Sequence, residues 1–176
     1  RMTYADVTAI LVDRDPKLMK QYADLVPLFE RMEIVSNLLR KRRAARGSID
    51  FDFPETKIVL DDAGKPIEIK KYEITISNRI IEDFMLACNE TVAEHMKKAK
   101  IPFIYRVHEV PNADKMKSFV DFLGHFGYTL KHPDKPNPKE FQKLLHRIRG
   151  KKEERVISTV MLRSLMKARY DESNLG

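Results

Sequence analysis

A change of hydrophobic period at Gly47 restricts the fold of this chain more than any other feature. Before it, from Lys17 to about Arg46, Leu18, Met19, Tyr22, Leu25, Val26, Phe29, Met32, Ile34, Val35, Leu38 and Leu39 recur at the spacing of one helix face. After it, Ile49, Phe51 and Phe53 alternate with Ser48, Asp50 and Asp52, the pattern of a half-buried strand. One period belongs to helices and the other to strands, so both element types are required. The chain reads as α/β in the mixed α+β sense, helix-rich, with a small antiparallel β-meander and several amphipathic helices.

Local chemistry punctuates this pattern. Thr3 to Val12 reads as a short helix capped by Thr3, with Asp6 in its first turn, where a carboxylate answers the helix dipole. Asp15 is a good N-cap for the next helix and Pro16 suits its first position, where a missing N–H costs nothing. Pro27 should kink or split the long helix, and Gly47 is its expected C-cap. Lys57–Leu60 and Pro66–Ile74 read as strands around the turn Asp61-Asp62-Ala63-Gly64. Ser77–Lys98 follows as a helix capped by Ser77 or Asn78, with Ile80, Ile81, Phe84, Met85, Cys88, Val92, Ala93 and Met96 as its expected buried face. Pro102–Val107 reads as a buried strand and Asp114–Phe126 as a helix stopped by Gly127. His132–Pro138 is a proline-punctuated loop, and Phe141–Ile148 and Arg155–Tyr170 are the closing helices.

Three polar groupings could carry chemistry. Asn78, Glu82 and Asn89 form a stripe beside the apolar face of the Ser77 helix, either a ligand-binding edge or an ordinary solvated one. Five basic residues cluster between Arg40 and Arg46, which suits either the helix dipole or a phosphate-facing surface. Asp50 and Asp52 share a strand face and could hold a cation, although alternation with phenylalanine more simply points them to solvent. The histidines His95, His108, His125, His132 and His146 lack zinc-motif spacing, and Cys88 reads as a small hydrophobe. There is no glycine-rich phosphate loop and no nucleophile elbow. By these residues alone the chain is not a convincing hydrolase. Lys and Arg outnumber Asp and Glu by 33 to 26, an excess that favours a polyanionic partner. A single cysteine excludes an internal disulfide and fits a reducing cytoplasm, and no apolar run suggests a membrane span.

Several segments, taken together and in order, resemble the catalytic RNB domain of the ribonuclease II and ribonuclease R family. They are Arg46-Gly47-Ser48-Ile49-Asp50-Phe51-Asp52, Asn78-Arg79-Ile80-Ile81-Glu82-Asp83-Phe84-Met85 with Ala87-Cys88-Asn89-Glu90, Pro102-Phe103-Ile104-Tyr105-Arg106-Val107-His108-Glu109, and Leu162-Arg163-Ser164-Leu165 with Ala168-Arg169-Tyr170. The charge content and the segment from Arg46 look closer to bacterial ribonuclease R. The resemblance implies a processive 3′-to-5′ exoribonuclease that hydrolyses single-stranded RNA with Mg2+ and releases nucleoside monophosphates. It implies that Phe51 is an aromatic clamp on the bases, since a ring face stacks on any base. It also implies that Tyr4 and Glu82 hold the terminal nucleotide and test for the 2′-hydroxyl.

The same resemblance places the metal-binding aspartates before Arg1. The HFGL segment and the catalytic arginine motif would follow Gly176, and the flanking RNA-binding barrels would lie outside the chain as well. With Arg1 an improbable translation start, residues 1–176 are expected to be a single internal piece of an RNB domain. The piece is expected to be inactive alone and to expose apolar surface, and its parent to be a cytoplasmic monomer with no membrane partner. Two other readings stay open: a non-catalytic RNA-binding relative, and a helical protein-interaction domain.

Overall fold

The computed structural model describes residues 1–49, 51, 55–132 and 137–175. The elements in chain order are α1 (Tyr4–Thr8), a π-helical turn (Ala9–Asp13), α2 (Pro16–Gln21), α3 (Val26–Arg46), β1 (Glu55–Leu60), β2 (Pro66–Tyr72), α4 (Ile76–Ala99), β3 (Tyr105–Val107), α5 (Ala113–Gly124), α6 (Pro138–Ile148), α7 (Glu154–Ser164) and β4 (Arg169–Asp171). This is the expected helix-rich α+β class, with the first described strand at Glu55 rather than at Ile49.

The chain divides into two compact units. The first comprises Arg1–Arg42 and Asp52–Cys88, the second Arg43–Phe51 and Asn89–Gly176. The first unit is centred on Ile10, Leu11, Val26, Phe29 and Ile80. Its N-terminal helix begins with a capping box: Thr3 Oγ1 accepts from the Asp6 N–H, and the Asp6 carboxylate accepts from the Thr3 N–H. The Asp15 side chain accepts from the N–H groups of Lys17 and Leu18, with Pro16 in the first helical turn. The long helical run is split rather than bent, and Pro27 falls in the first turn of α3. At that place the missing N–H has no intrahelical partner to lose.

β1 and β2 form an antiparallel hairpin in which Ile58 faces Ile69, with an irregularity between Val59 and Leu60. The Asp61 carboxylate closes the turn by accepting from the N–H groups of Ala63 and Lys65, and Gly64 takes the left-handed conformation there. Ile49 and Phe51 lie outside any strand, and Asp50, Asp52 and Phe53 of the expected first strand lie outside the described residues.

The second unit holds the larger core: Met116, Phe119, Leu123, Tyr128, Leu130, Phe141, Leu144, Ile148, Ile157 and Met161, drawn mainly from α5, α6 and α7. Asn112 and Asn137 cap α5 and α6 through their side-chain oxygens. β3 pairs antiparallel with β4, Arg106 opposite Tyr170. The expected helix from Arg155 to Tyr170 therefore ends early, at Ser164. Residues Arg169–Asp171 satisfy their backbone groups across a ladder with β3, and Arg169 bonds both Glu109 and Asp171.

The face assigned to the Ser77 helix needs a larger correction. Of its eight apolar residues only Ile80 is buried, whereas Ile81 is 44% and Met85 54% exposed, and Cys88 and Val92 are exposed as well. A helical period marks which face is apolar; it does not supply a neighbour to cover it. Along α3, Ile34, Val35 and Leu38 are likewise exposed.

Candidate functional site

Tyr4 opens α1 directly after its Thr3 cap. The residue is 50% exposed and is placed through its backbone. The Tyr4 carbonyl accepts a hydrogen bond from Ser77 Oγ at 2.8 Å. Ser77 is 3% exposed and stands 2.7 Å from Thr8 Oγ1 and 2.8 Å from Thr75 Oγ1. This hydroxyl does not cap α4, as the sequence pattern suggested. The helix starts one residue earlier, at Ile76, and Asn78 reaches back to Thr75, its Oδ1 accepting from the Thr75 N–H at 3.1 Å and the Thr75 hydroxyl at 2.7 Å. Ser77 instead ties α4 to α1.

The polar stripe on α4 separates into residues with different occupations. Asn78 is committed to Thr75 and, through Nδ2, to the Tyr72 hydroxyl at 3.3 Å. Glu82 lies one turn further on, exposed, and among the described residues its carboxylate makes no hydrogen bond or ion pair. It is therefore open to an incoming hydroxyl. Asn89 is exposed as well.

Next to Glu82, Asp83 shows what sequence reading missed. Its side chain is fully buried and accepts from Ser36 Oγ at 2.6 Å and Arg40 Nη2 at 2.9 Å. A carboxylate in such a place is retained only when paired and hydrogen-bonded. The available signal was spacing: Asp83 follows Ile80 by three residues and so shares its inward face. This pairing also bears on the basic cluster. Arg40 serves Asp83, and Arg46 makes a two-pronged bond to Glu90 at 2.9 and 3.0 Å, which raises the guanidinium's pKa. Lys41 and Arg42 are exposed.

Phe51 belongs to the second unit. It is half-buried and packed against the α5–α7 core. The backbone leading to it is held firmly. Gly47 has φ +100°, and a Cβ there would meet Lys139 Cγ at 2.7 Å and Lys139 N at 3.0 Å. Gln142 Nε2 donates to the carbonyls of Ala44 at 3.0 Å and Ser48 at 3.1 Å, completing the end of α3 from α6. Tyr4 and Glu82 thus share one unit, and Phe51 is anchored in the other.

No three His, Cys, Asp or Glu side chains among the described residues converge into a metal-binding group. Asp50 and Asp52 lie outside the described residues. His132 is bonded to Glu140, whose carboxyl it holds below the usual carboxylate range, and His108 Nδ1 contacts the Met166 carbonyl at 3.2 Å. Cys88 is exposed rather than packed. No described helix is long and apolar enough to cross a membrane.

Comparison with known proteins gives a consistent result. The family model described as RNB domain matches residues 1–176. Ribonuclease R of Aquifex aeolicus is 39% identical over 176 residues, covering 100% of this chain and 25% of the relative. Ribonuclease R 1 of Lactococcus lactis is 40% identical over 177 residues, covering 100% of this chain and 22% of the relative. Among solved structures, Mycoplasma genitalium RNase R in complex with ribose methylated single-stranded RNA matches with a TM-score of 0.85 at 26% identity, over 99% of this chain and 27% of that one. The chain spans about a quarter of the length of the curated relatives it matches.

Proposed function

Because the chain belongs to the RNB domain family, matched over its whole length, we propose that it forms part of a processive 3′-to-5′ exoribonuclease of the ribonuclease R type. Its substrate is single-stranded RNA, released as nucleoside 5′-monophosphates. The observation that carries this reading is the match to ribonuclease R relatives across every residue of the chain. The two α1 and α4 residues add physical support. Glu82 offers an uncommitted carboxylate, a hydrogen-bond acceptor for a ribose 2′-hydroxyl. Tyr4 offers a phenol on a backbone pinned at both its cap and its carbonyl. Phe51 offers an aromatic surface on a rigid core, as stacking on an unpaired base requires.

In this scheme the chain's own residues bind and orient the RNA end, which lowers the entropic part of the barrier. Bound Mg2+ would supply the activated water for phosphodiester cleavage. The described residues do not form a ligand set for it. Its ligands are proposed to lie outside residues 1–176, and the chain alone is proposed to be inactive. The parent is proposed to act in the cytoplasm as a monomer.

The test uses the full-length protein that carries this chain, with Mg2+ and a 5′-labelled single-stranded RNA. Glu82→Ala and Phe51→Ala are each expected to lower kcat/KM by roughly 10-fold or more, in line with loss of one good substrate contact. An inactive parent that still binds RNA would favour a non-catalytic relative, and full activity in both variants would remove the site assignments.

A further inference from the structure

We propose that Ser77 is a positioning residue that fixes Tyr4 against the helix carrying Glu82 and thereby sets the enzyme's discrimination between ribose and deoxyribose ends. The inference rests on the reading of Tyr4 and Glu82 as contacts to the terminal nucleotide.

Tyr4 is not among the side chains packed on the core of its unit, and half its surface is open. A ring in that situation is aimed by its backbone. The cap at Thr3 is local to α1 and cannot register that helix against anything else. The bond from Ser77 Oγ to the Tyr4 carbonyl, across 73 residues of sequence, does so directly. Ser77 lies on the first turn of α4, and Glu82 sits on the same unbroken helix. A rigid helix converts a fixed Ser77 into a fixed Glu82, about 7 to 8 Å further along its axis.

The proton count gives the link a direction. Ser77 has one hydroxyl proton, and the Tyr4 carbonyl can only accept. The contacts at 2.7 Å to Thr8 Oγ1 and 2.8 Å to Thr75 Oγ1 must then draw on the threonine protons, Thr75 sharing its own between Ser77 and Asn78, and the Thr8 branch gives a relay from Thr8 to Ser77 to the Tyr4 carbonyl. Both ends of the relay lie on α1 and its middle on α4. At 3% exposure no water competes for the Ser77 hydroxyl, so its loss leaves the first turn of α1 free to slide on α4. Glu82 itself needs no support from this relay, which makes the relation between the two contacts the quantity to measure.

The experiment compares kcat/KM of the full-length protein on single-stranded RNA ending in a ribonucleotide and on the same RNA ending in a 2′-deoxyribonucleotide. Ser77→Ala is expected to reduce the ratio roughly 3- to 10-fold, the scale of one lost hydrogen bond. Ser77→Thr, which keeps the hydroxyl, is expected to restore it, and Thr8→Val to lower it in the same direction. Simple destabilisation would depress both substrates together and leave the ratio alone. If Tyr4→Ala lowers the ratio while Ser77→Ala and Thr8→Val leave it unchanged, Ser77 is only a core serine and the inference is overturned. If Tyr4→Ala and Glu82→Ala both leave the ratio unchanged, the nucleotide-contact reading itself has failed and the inference falls with it. Should Ser77→Ala not fold, Thr8→Val and Ser77→Thr decide the matter in the same way.

Discussion

The two units differ in how far their apolar patterns are used. In the second, most inward positions of α5, α6 and α7 are buried, with Phe119, Leu123, Ile148, Ile157 and Met161 nearly or wholly inaccessible, although Phe126 and Val156, also expected to face inward, are exposed. In the first, a small core around Ile10 and Ile80 coexists with apolar faces open to solvent: Ile58, Leu60, Ile67 and Ile69 on the hairpin, and Ile81 and Met85 on α4. A two-stranded hairpin with 71% exposure at Ile69 draws little stability from burial. The same periodic signal therefore has different energetic content in the two units. Periodicity records what a face is made of, and burial records what it is worth.

The largest effect expected from this contrast comes from paired truncations. Phe119→Ala should destabilise the second unit by about 3 to 5 kcal/mol through lost transfer energy and a cavity. Ile81→Ala should change stability by no more than about 0.5 kcal/mol, as is usual for an exposed side chain. Denaturant melts of the two variants measure this directly, and similar losses in both would erase the distinction between the units.

A smaller effect is expected at the buried carboxylate of the first unit. Asp83→Ala removes the acceptor shared by Ser36 and Arg40 and should cost about 2 to 4 kcal/mol. Hydrogen exchange should then rise along the facing turns of α3 and α4 and leave α5 to α7 protected. Uniform loss of protection would show that the units unfold together.

The smallest effect lies in acid. The Tyr128 hydroxyl donates to Glu153 and, with the Lys151 charge as a lesser cause, keeps that carboxyl below its ordinary range. A depressed folded value adds stability that is complete above the unfolded value, about 4.3 for glutamate. That stability disappears as the pH falls through the lower folded value. Tyr128→Phe should therefore lower the melting midpoint at pH 7 and converge on the parent only in acid, once the pH has fallen through the lowered folded value of Glu153. A difference independent of pH would assign the loss to packing rather than to the carboxylate.

Much of the fold was legible because its punctuation is local. Thr3 with Asp6, Asp15 with Pro16, Gly47 and the Asp61 turn all act within a few residues of themselves, so sequence alone exposes them. β4 could not be read this way. Its three residues are held by a ladder to β3 and by Arg169 bonding Glu109, interactions across some 60 residues. The end of α4 was legible to within one residue, Lys98 against Ala99, although Lys100 takes the left-handed conformation there, at φ 55°, without the glycine that usually marks it. At the candidate site, Glu82 was visible as a polar residue beside an apolar face. Asp83 was not, because a buried carboxylate is distinguished from its neighbour only by partners on another helix. Ser77 was noticed for the wrong task, since a serine near a helix start suggests a cap and nothing local announces the carbonyl of Tyr4.

The bond from Gln142 to the last carbonyls of α3 sets a condition on the order of synthesis. The terminus of α3 is completed by a side chain that lies 98 residues downstream of Ala44. At roughly 5 to 20 residues per second, a ribosome would need about 5 to 20 seconds to supply that side chain after Ala44 is made. During that interval the end of α3 lacks its partner on α6, so this terminus is among the later parts of its unit to settle.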